Sequence, residues 1–315
     1  MPKTTRCSAD PPWFISCSSL IPTEDMKIVF ITISVLIIVA SFLSIVIHVV
    51  YRKSNKAFSL NVVSLNLNDI VLAVYFTIIW ISDAMYGDYF YLQETKWRSS
   101  STCFSAGFLL LMFTFTAQFM ITLLSLSRLM IVANPLDTNF KRVEFILKYI
   151  LAIVFFALLL PISFVLATKF TISALPLSLC LPFIDPQKSS VVIKVITWIV
   201  AISQTATSIV NIVLHVLLVQ KLRKSQKIVA MSQSKPGKGN LNIITQLFIV
   251  TISNILCWLP ANIIYITAMF LDRYSTDLII WTTVGVMPIN SVINPVVFTI
   301  VCLRKNWDEM KFNAK

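Results

Sequence analysis

The chain has 315 residues, of which 57% are hydrophobic and only 13% charged, and its mean hydropathy is +0.82. Soluble domains carry about 25% charged residues, so a water-soluble globular protein is excluded, and five Gly beside 22 Phe exclude collagen-like, linker-rich and disordered classes. The formal net charge of +12 reads as membrane topology and attraction to anionic lipid headgroups; its basic residues are scattered over several short loops, which argues against nucleic acid as a partner.

A helix needs about 20 mostly apolar residues to cross a bilayer. Seven such stretches follow one another at roughly 26–50, 60–84, 103–133, 145–168, 191–219, 241–271 and 277–302. The period-two alternation of a membrane barrel is absent, and backbone groups in lipid must be satisfied within their own segment. The expected fold class is therefore all-α: a seven-transmembrane helix bundle over 26–302, an extracellular N-terminal segment over 1–25 and a cytoplasmic tail over 303–315. The segments on one side of the bundle hold 17 of the 26 basic residues against four acidic ones, while the other side is balanced. By the positive-inside rule the N-terminus is outside.

Residues 1–25 are polar, with Pro11, Pro12, Cys7 and Cys17, and lack the apolar core of a cleavable signal. The first span is then an uncleaved anchor, and Cys7 and Cys17 are either bridged or free. In the second span, Asp69 is the only acidic residue near the middle of any helix. Intramembrane charges are costly and face the bundle interior, with Asn290, Ser291 and Asn294 of span seven as expected neighbours. Asp69 reads either as an ion- or water-binding switch or as a protonated acid satisfied by amides. Trp97 is expected to pack the first outer loop.

Cys103 opens span three, and Cys180 lies in the loop between spans four and five. Both fall on the outer side, where disulfides persist; a bridge would tie that loop to span three, and two free thiols are the alternative. Span three ends in Ser127, Arg128 and Leu129, followed by Asn134, Pro135 and Leu136. Arg128 comes about seven turns after Cys103, so it reaches the opposite face, where it either snorkels or receives a cytoplasmic partner. The third inner loop, Lys221 to Asn240, is basic, with Pro236, Gly237 and Gly239 forming a flexible tip.

Span six contains Cys257, Trp258, Leu259 and Pro260; proline removes a backbone donor and kinks the helix beside a large ring. Span seven contains Asn294, Pro295, Val296, Val297 and Phe298, a second proline break. Cys302, at its inner end, is a candidate for palmitoylation. Beyond it Leu303, Trp307 and Met310 recur at helical spacing among Arg304, Lys305 and Lys311, which predicts a short amphipathic helix on the inner leaflet. His48 and His215 lie far from any nucleophile or metal set and read as isolated polar residues.

These residues together resemble rhodopsin-like (class A) G-protein-coupled receptors over 26–312. The chain is most similar to the membrane domain of leucine-rich-repeat-containing receptors, the relaxin and glycoprotein hormone receptor group. The run Ser64 to Asp69, Cys180-Leu181-Pro182, Cys257 to Pro260, and Pro288-Ile289-Asn290-Ser291 leading to Asn294-Pro295 carry the likeness, and span five lacks a proline as in that group. The resemblance implies a Cys103–Cys180 disulfide, Asp69 as a polar hub with a possible site for an allosteric sodium ion, Trp258 as a toggle ring, and Arg128 with Ser127 facing a G protein. It implies a plasma-membrane receptor, not an enzyme, whose partners are an extracellular ligand of peptide or hormone type, a heterotrimeric G protein and membrane lipids.

The departures from that pattern matter. Ser127 stands where an acid normally precedes the span-three Arg, Ser44 where span one carries Asn, Phe298 where Tyr closes the span-seven run, and Asn254 where the group has Asp. Only about 25 residues precede the first span, with no leucine-rich ectodomain among them, so a shortened receptor, a fragment of a longer product and a divergent relative with another ligand all remain open. Span seven has no Lys for a retinal Schiff base, and Leu110 replaces the acid that aminergic receptors use to hold an ammonium. The outer cavity is expected to be neutral and aromatic, with Trp80, Tyr86, Tyr265 and Trp281 at its rim. Asp83, Asp88, Asp272 and Asp277 stand outside it, either solvated or attracting a basic peptide. A non-signalling decoy of the same fold is the alternative function; a transporter or channel fits less well, because the halves show no symmetry.

Overall fold

The computed structural model describes residues 20–21, 23–50, 56–87, 90–133, 142–169, 179–180, 191–231, 238–271 and 276–313. Expectations for Cys7, Cys17, Asp88, Asp272 and the loop tip at Pro236 lie outside them, as do those for the side chains of Tyr265, Asp277, Trp307 and Met310. Every described element is helical. In chain order these are α1 (Glu24–Val50), α2 (Lys56–Tyr86), α3 (Phe90–Arg98), α4 (Ser101–Ala133), α5 (Val143–Lys169), α6 (Val191–Met231), α7 (Lys238–Leu271), α8 (Thr276–Trp281) and α9 (Met287–Asn313). A π-helical turn, Thr282–Val286, joins α8 to α9.

Among the described residues, six stretches are long and apolar enough to cross a membrane: Glu24–Val50, Lys56–Tyr86, Ser101–Ala133, Val143–Ser163, Trp198–Lys224 and Thr282–Arg304. A shorter apolar stretch, Ile252–Ile264, lies in α7. The helices pack as a bundle in which α1 contacts α2 and α9, α4 contacts α2, α5 and α6, and α7 lies between α6 and α9.

The side-chain pattern is inside out relative to a soluble bundle. Along α1 the buried positions are Met26, Phe30, Ser34, Ile37, Ser41, Ser44 and His48, recurring every three or four residues. The opposite face exposes Val35, Leu36, Val39, Phe42 and Leu43. A helix in lipid gains nothing by hiding Leu, so its small and polar residues face the neighbouring helices. The same logic buries Asn61, Asn66, Asn68 and Asp69 on α2. Ser44 Oγ accepts a hydrogen bond from Asn66 Nδ2 at 2.9 Å, so the residue standing where the family has Asn still links α1 to α2.

Four features differ from the sequence expectation. α6 continues to Met231, three turns beyond 219, because Gln220 to Met231 is rich in Lys and Gln and holds no Gly or Pro. α3 supplies a helix in the first outer loop and buries Trp97 against Tyr86, with ring centroids 5.4 Å apart. The helix expected after span seven begins without an intervening break, since α9 is one helix from Met287 to Asn313. Asp83 is neither solvated nor available to a basic peptide. It is 5% exposed, accepts the Ile21 backbone N–H at 2.9 Å and lies 3.3 Å from Lys27 Nζ.

That contact fastens Leu20 and Ile21, both fully buried, onto the outer ends of α1 and α2. Removing a buried acceptor leaves its donor unsatisfied, at about 1–3 kcal/mol. Asp83→Ala is expected to cost about that much in thermal unfolding of the purified protein. Lys27→Ala in the Asp83→Ala background should cost little more, because the two share one interaction. Full additivity in that cycle would show that Asp83 and Lys27 act separately.

Candidate functional site

At the Cys103 end of the bundle, Leu179 and Cys180 are seated on α2 and α4. Cys103 and Cys180 form a disulfide with Cα atoms 5.3 Å apart, across 77 residues of sequence. Tyr75 Oη donates a hydrogen bond to the Leu179 carbonyl at 2.9 Å. A Cβ on Gly107 would stand 2.8 Å from the Cys180 backbone oxygen, so only glycine permits this approach. Cys180 itself has φ of 54°, a strained value for a residue with a side chain. Tyr75 and Gly107 gave no signal in the sequence, since a lone Tyr or Gly in a span has many uses. Gly107→Ala is expected to push the loop off α4, lowering stability by about 1–3 kcal/mol and leaving part of the protein with free Cys180. Thermal unfolding and thiol counting by mass spectrometry check both.

Below this seat lies an open cavity between α4, α6, α7 and span seven. Leu110, Leu111, Ala261, Ile264 and Met287 supply its apolar walls, and Thr114, Gln204, Asn262, Thr282 and Thr283 its polar groups. Among the described residues no ionisable side chain lines it. Of the expected aromatic rim, the Tyr265 side chain lies outside the described ones, and Trp80, Tyr86 and Trp281 do not line the cavity. Trp80 and Trp281 are 38% and 41% exposed on the outer faces of their helices, and Tyr86 packs on Phe90 and Trp97. Large amphipathic rings at the outer ends of the spans suit the membrane interface better than a cavity wall. Trp258 is the aromatic that does line the cavity, stacked on Phe113 with centroids 6.2 Å apart.

Deeper in the bundle, polar groups gather around Asp69. It is buried, is hydrogen-bonded to Ser291, and has Oδ2 without a partner. Asn294 is buried with both amide atoms unpartnered. Asn290 is engaged elsewhere, accepting from Ser253 Oγ of α7 at 2.8 Å, so α7 and α9 are joined by a polar pair that sequence spacing did not indicate. An orphaned carboxylate oxygen on an acid held by the Ser291 hydroxyl is a group that water or a hard monovalent cation could complete. Among the described residues no cluster of His, Cys, Asp and Glu could hold a metal ion. His48 and His215 are buried, and each Nδ1 lies 2.8–2.9 Å from the carbonyl four residues earlier.

At the far end of α4, Ser127 is turned back on its own helix and donates to the Leu124 carbonyl at 2.8 Å. It therefore does not restrain its neighbour. The Arg128 guanidinium carbon stands 3.7 Å from the centroid of the Phe58 ring, while its Nε is buried without a hydrogen-bond partner. Phe58 in turn meets Phe298 edge-on at 6.1 Å and His48 at 6.3 Å. An aromatic latch from α2 occupies the place of the absent carboxylate. Phe58 carried no signal in the sequence, because a Phe at the end of an apolar span is commonplace. Pro260 and Pro295 lie within α7 and α9, the first two residues after Trp258 and the second beside Asn294.

A family model described as 7 transmembrane receptor (rhodopsin family) matches residues 16–298. Among curated proteins, the G-protein coupled receptor GRL101 of Lymnaea stagnalis is 22% identical over 312 residues, 95% of this chain and 27% of its own length. Relaxin receptor 1 of Mus musculus is 19% identical over 304 residues, again 95% of this chain and 40% of that protein. Relaxin receptor 1 of Homo sapiens is 18% identical over 313 residues, 95% and 40% of the two chains. The chain thus spans well under half the length of these relatives.

Proposed function

Because this chain belongs to the rhodopsin family of seven-transmembrane receptors, a family of multi-pass membrane receptors and not enzymes, we propose that it relays an extracellular ligand to a heterotrimeric G protein at the plasma membrane. In this reading the N-terminus and the Cys103–Cys180 end face outside, in keeping with the positive-inside asymmetry. Residues 26–302 form the signalling bundle, and the tail after 302 lies against the inner leaflet.

The observation that carries the reading is Trp258. It forms part of the cavity and stands on the helix whose Ser253 is bonded to Asn290. A ligand can shift a two-state bundle only by its differential affinity for the two states. One that moves Trp258 would tilt α7 at Pro260, strain the Ser253–Asn290 pair and free Arg128 for a cytoplasmic partner. In this scheme Asp69, Ser291 and Asn294 form the hub that repacks, and a sodium ion at Asp69 would supply positive charge that stabilises the closed arrangement. GRL101 is named a G-protein coupled receptor and the other relatives relaxin receptors, in keeping with the receptor reading; a hormone or peptide is the ligand class proposed. The departures at Ser127 and Phe298 favour the second reading, a decoy that binds without signalling.

Nucleotide exchange on a panel of G proteins, with the receptor in vesicles, separates the two. Exchange above empty vesicles, lowered by Trp258→Ala, is expected. Silence across the panel, from protein shown to be folded, would establish the decoy. Accessibility of tags at the two chain ends tests the topology, which is lost if both are on one side.

A further inference from the structure

We infer that the cavity takes an uncharged ligand carrying an amide-type donor–acceptor pair, gripped by Gln204. The inference rests on the receptor reading and adds the chemistry of what is received. Gln204 is 5% exposed and lines the cavity, yet neither Oε1 nor Nε2 has a hydrogen-bond partner. A buried carboxamide left unpaired is costly, so the position is built to be completed by something that both donates and accepts.

The other polar groups narrow the choice. Thr114 Oγ1 donates to the Leu110 carbonyl at 2.6 Å, and Thr282 Oγ1 donates to the Leu278 carbonyl at 2.7 Å. Their donors are spent within their own helices, which leaves them as acceptors. The Asn262 amide nitrogen is held by Ser208 Oγ at 3.0 Å. Trp258 adds a second orphan, a buried Nε1–H with no partner.

A cation or anion would meet no counter-charge among the described lining residues and would lose its hydration uncompensated by them. A pure hydrocarbon would leave Gln204 unsatisfied. A secondary amide on an apolar body meets every requirement: its N–H serves Oε1, its carbonyl accepts from Nε2, and the rest fills the aliphatic wall.

The test reads occupancy at Thr114. In purified protein in lipid discs, Thr114→Cys is modified with an uncharged methanethiosulfonate, and the rate is measured above the background of the parent chain. N-benzylacetamide, benzyl acetate, benzyltrimethylammonium and benzoate are compared at equal concentration as protectants. The amide is expected to protect about tenfold more effectively than the ester, the value of one well-made hydrogen bond, and the two ions not at all. Gln204→Leu should erase the difference between amide and ester. Gln204→Glu should turn the preference toward benzyltrimethylammonium, which also shows that a Gln204 variant folds.

Equal protection by the ions, an amide preference that survives Gln204→Leu, or no protection by any probe overturns the inference. Protection in a protein that activates no G protein would keep the ligand class and remove the receptor reading. Ligand-driven exchange with no protection would do the reverse.

Discussion

Replacing Phe58 by leucine is expected to raise ligand-independent nucleotide exchange about fivefold to tenfold. The reasoning starts from Ser127, whose hydroxyl is bonded to Leu124 and offers Arg128 nothing. The guanidinium is instead stacked on Phe58 at 3.7 Å. A cation on the face of an aromatic ring is worth about 1–2 kcal/mol when partly desolvated, and about 1.4 kcal/mol is a tenfold change in a two-state equilibrium. Leucine keeps most of the volume against Phe298 and His48 but has no π face. Tyrosine retains the ring and should leave exchange near the parent level. Ser127→Asp in the Phe58→Leu background supplies a carboxylate neighbour and should bring basal exchange back down. If leucine matches phenylalanine while only alanine raises exchange, the contact is packing and the latch is not electrostatic.

Loss of the Cys103–Cys180 bridge is expected to have the largest effect on folding. Joining residues 77 apart in sequence removes loop-closure entropy from the unfolded chain worth about 4–5 kcal/mol. The bridge also presses Leu179 and Cys180 against Tyr75 and Gly107. Cys103→Ser should therefore abolish most cell-surface protein, and treatment with reductant should lower the thermal midpoint of the parent by a similar amount. Cys180→Ser should match it, and the double variant should be no worse than either single one. An additive double variant would mean that the two thiols do not share one bond.

What the sequence revealed and what it hid follow from where the physical signal resides. Seven apolar stretches are legible because lipid demands about 20 residues of unbroken hydrophobicity per helix, and Asp69 because a buried acid is expensive anywhere. Cys103 and Cys180 stood out by sidedness and family pattern. Contacts made by ordinary residues left no trace: Phe58 on Arg128, Tyr75 on Leu179, Gly107 beneath Cys180. Each depends on which turn of one helix meets which turn of another, and hydrophobicity does not encode that register. Asp83 was misread for a related reason: acids near span ends are usually wet, and its partners Lys27 and Ile21 come from about 60 residues away in sequence. The aromatic rim failed because tryptophan at a span end serves lipid headgroups as readily as a ligand.

The π turn at Thr282–Val286 sets the phase of everything that follows it. A π turn takes up one residue more than an α turn, and Thr282, Thr283 and Val284 are buried within it. The surplus residue rotates Asn290, Ser291 and Asn294 by about 100° relative to an unbulged rod. Removing one residue inside the turn would take away that surplus and leave the polar edge, with Ser291 bonded to Asp69, where it is, whereas inserting one would swing the edge away. In this span angular position, more than reach, is the inherited quantity, and a single-residue insertion above Met287 should be far more damaging than a deletion within the turn or a substitution at the same site.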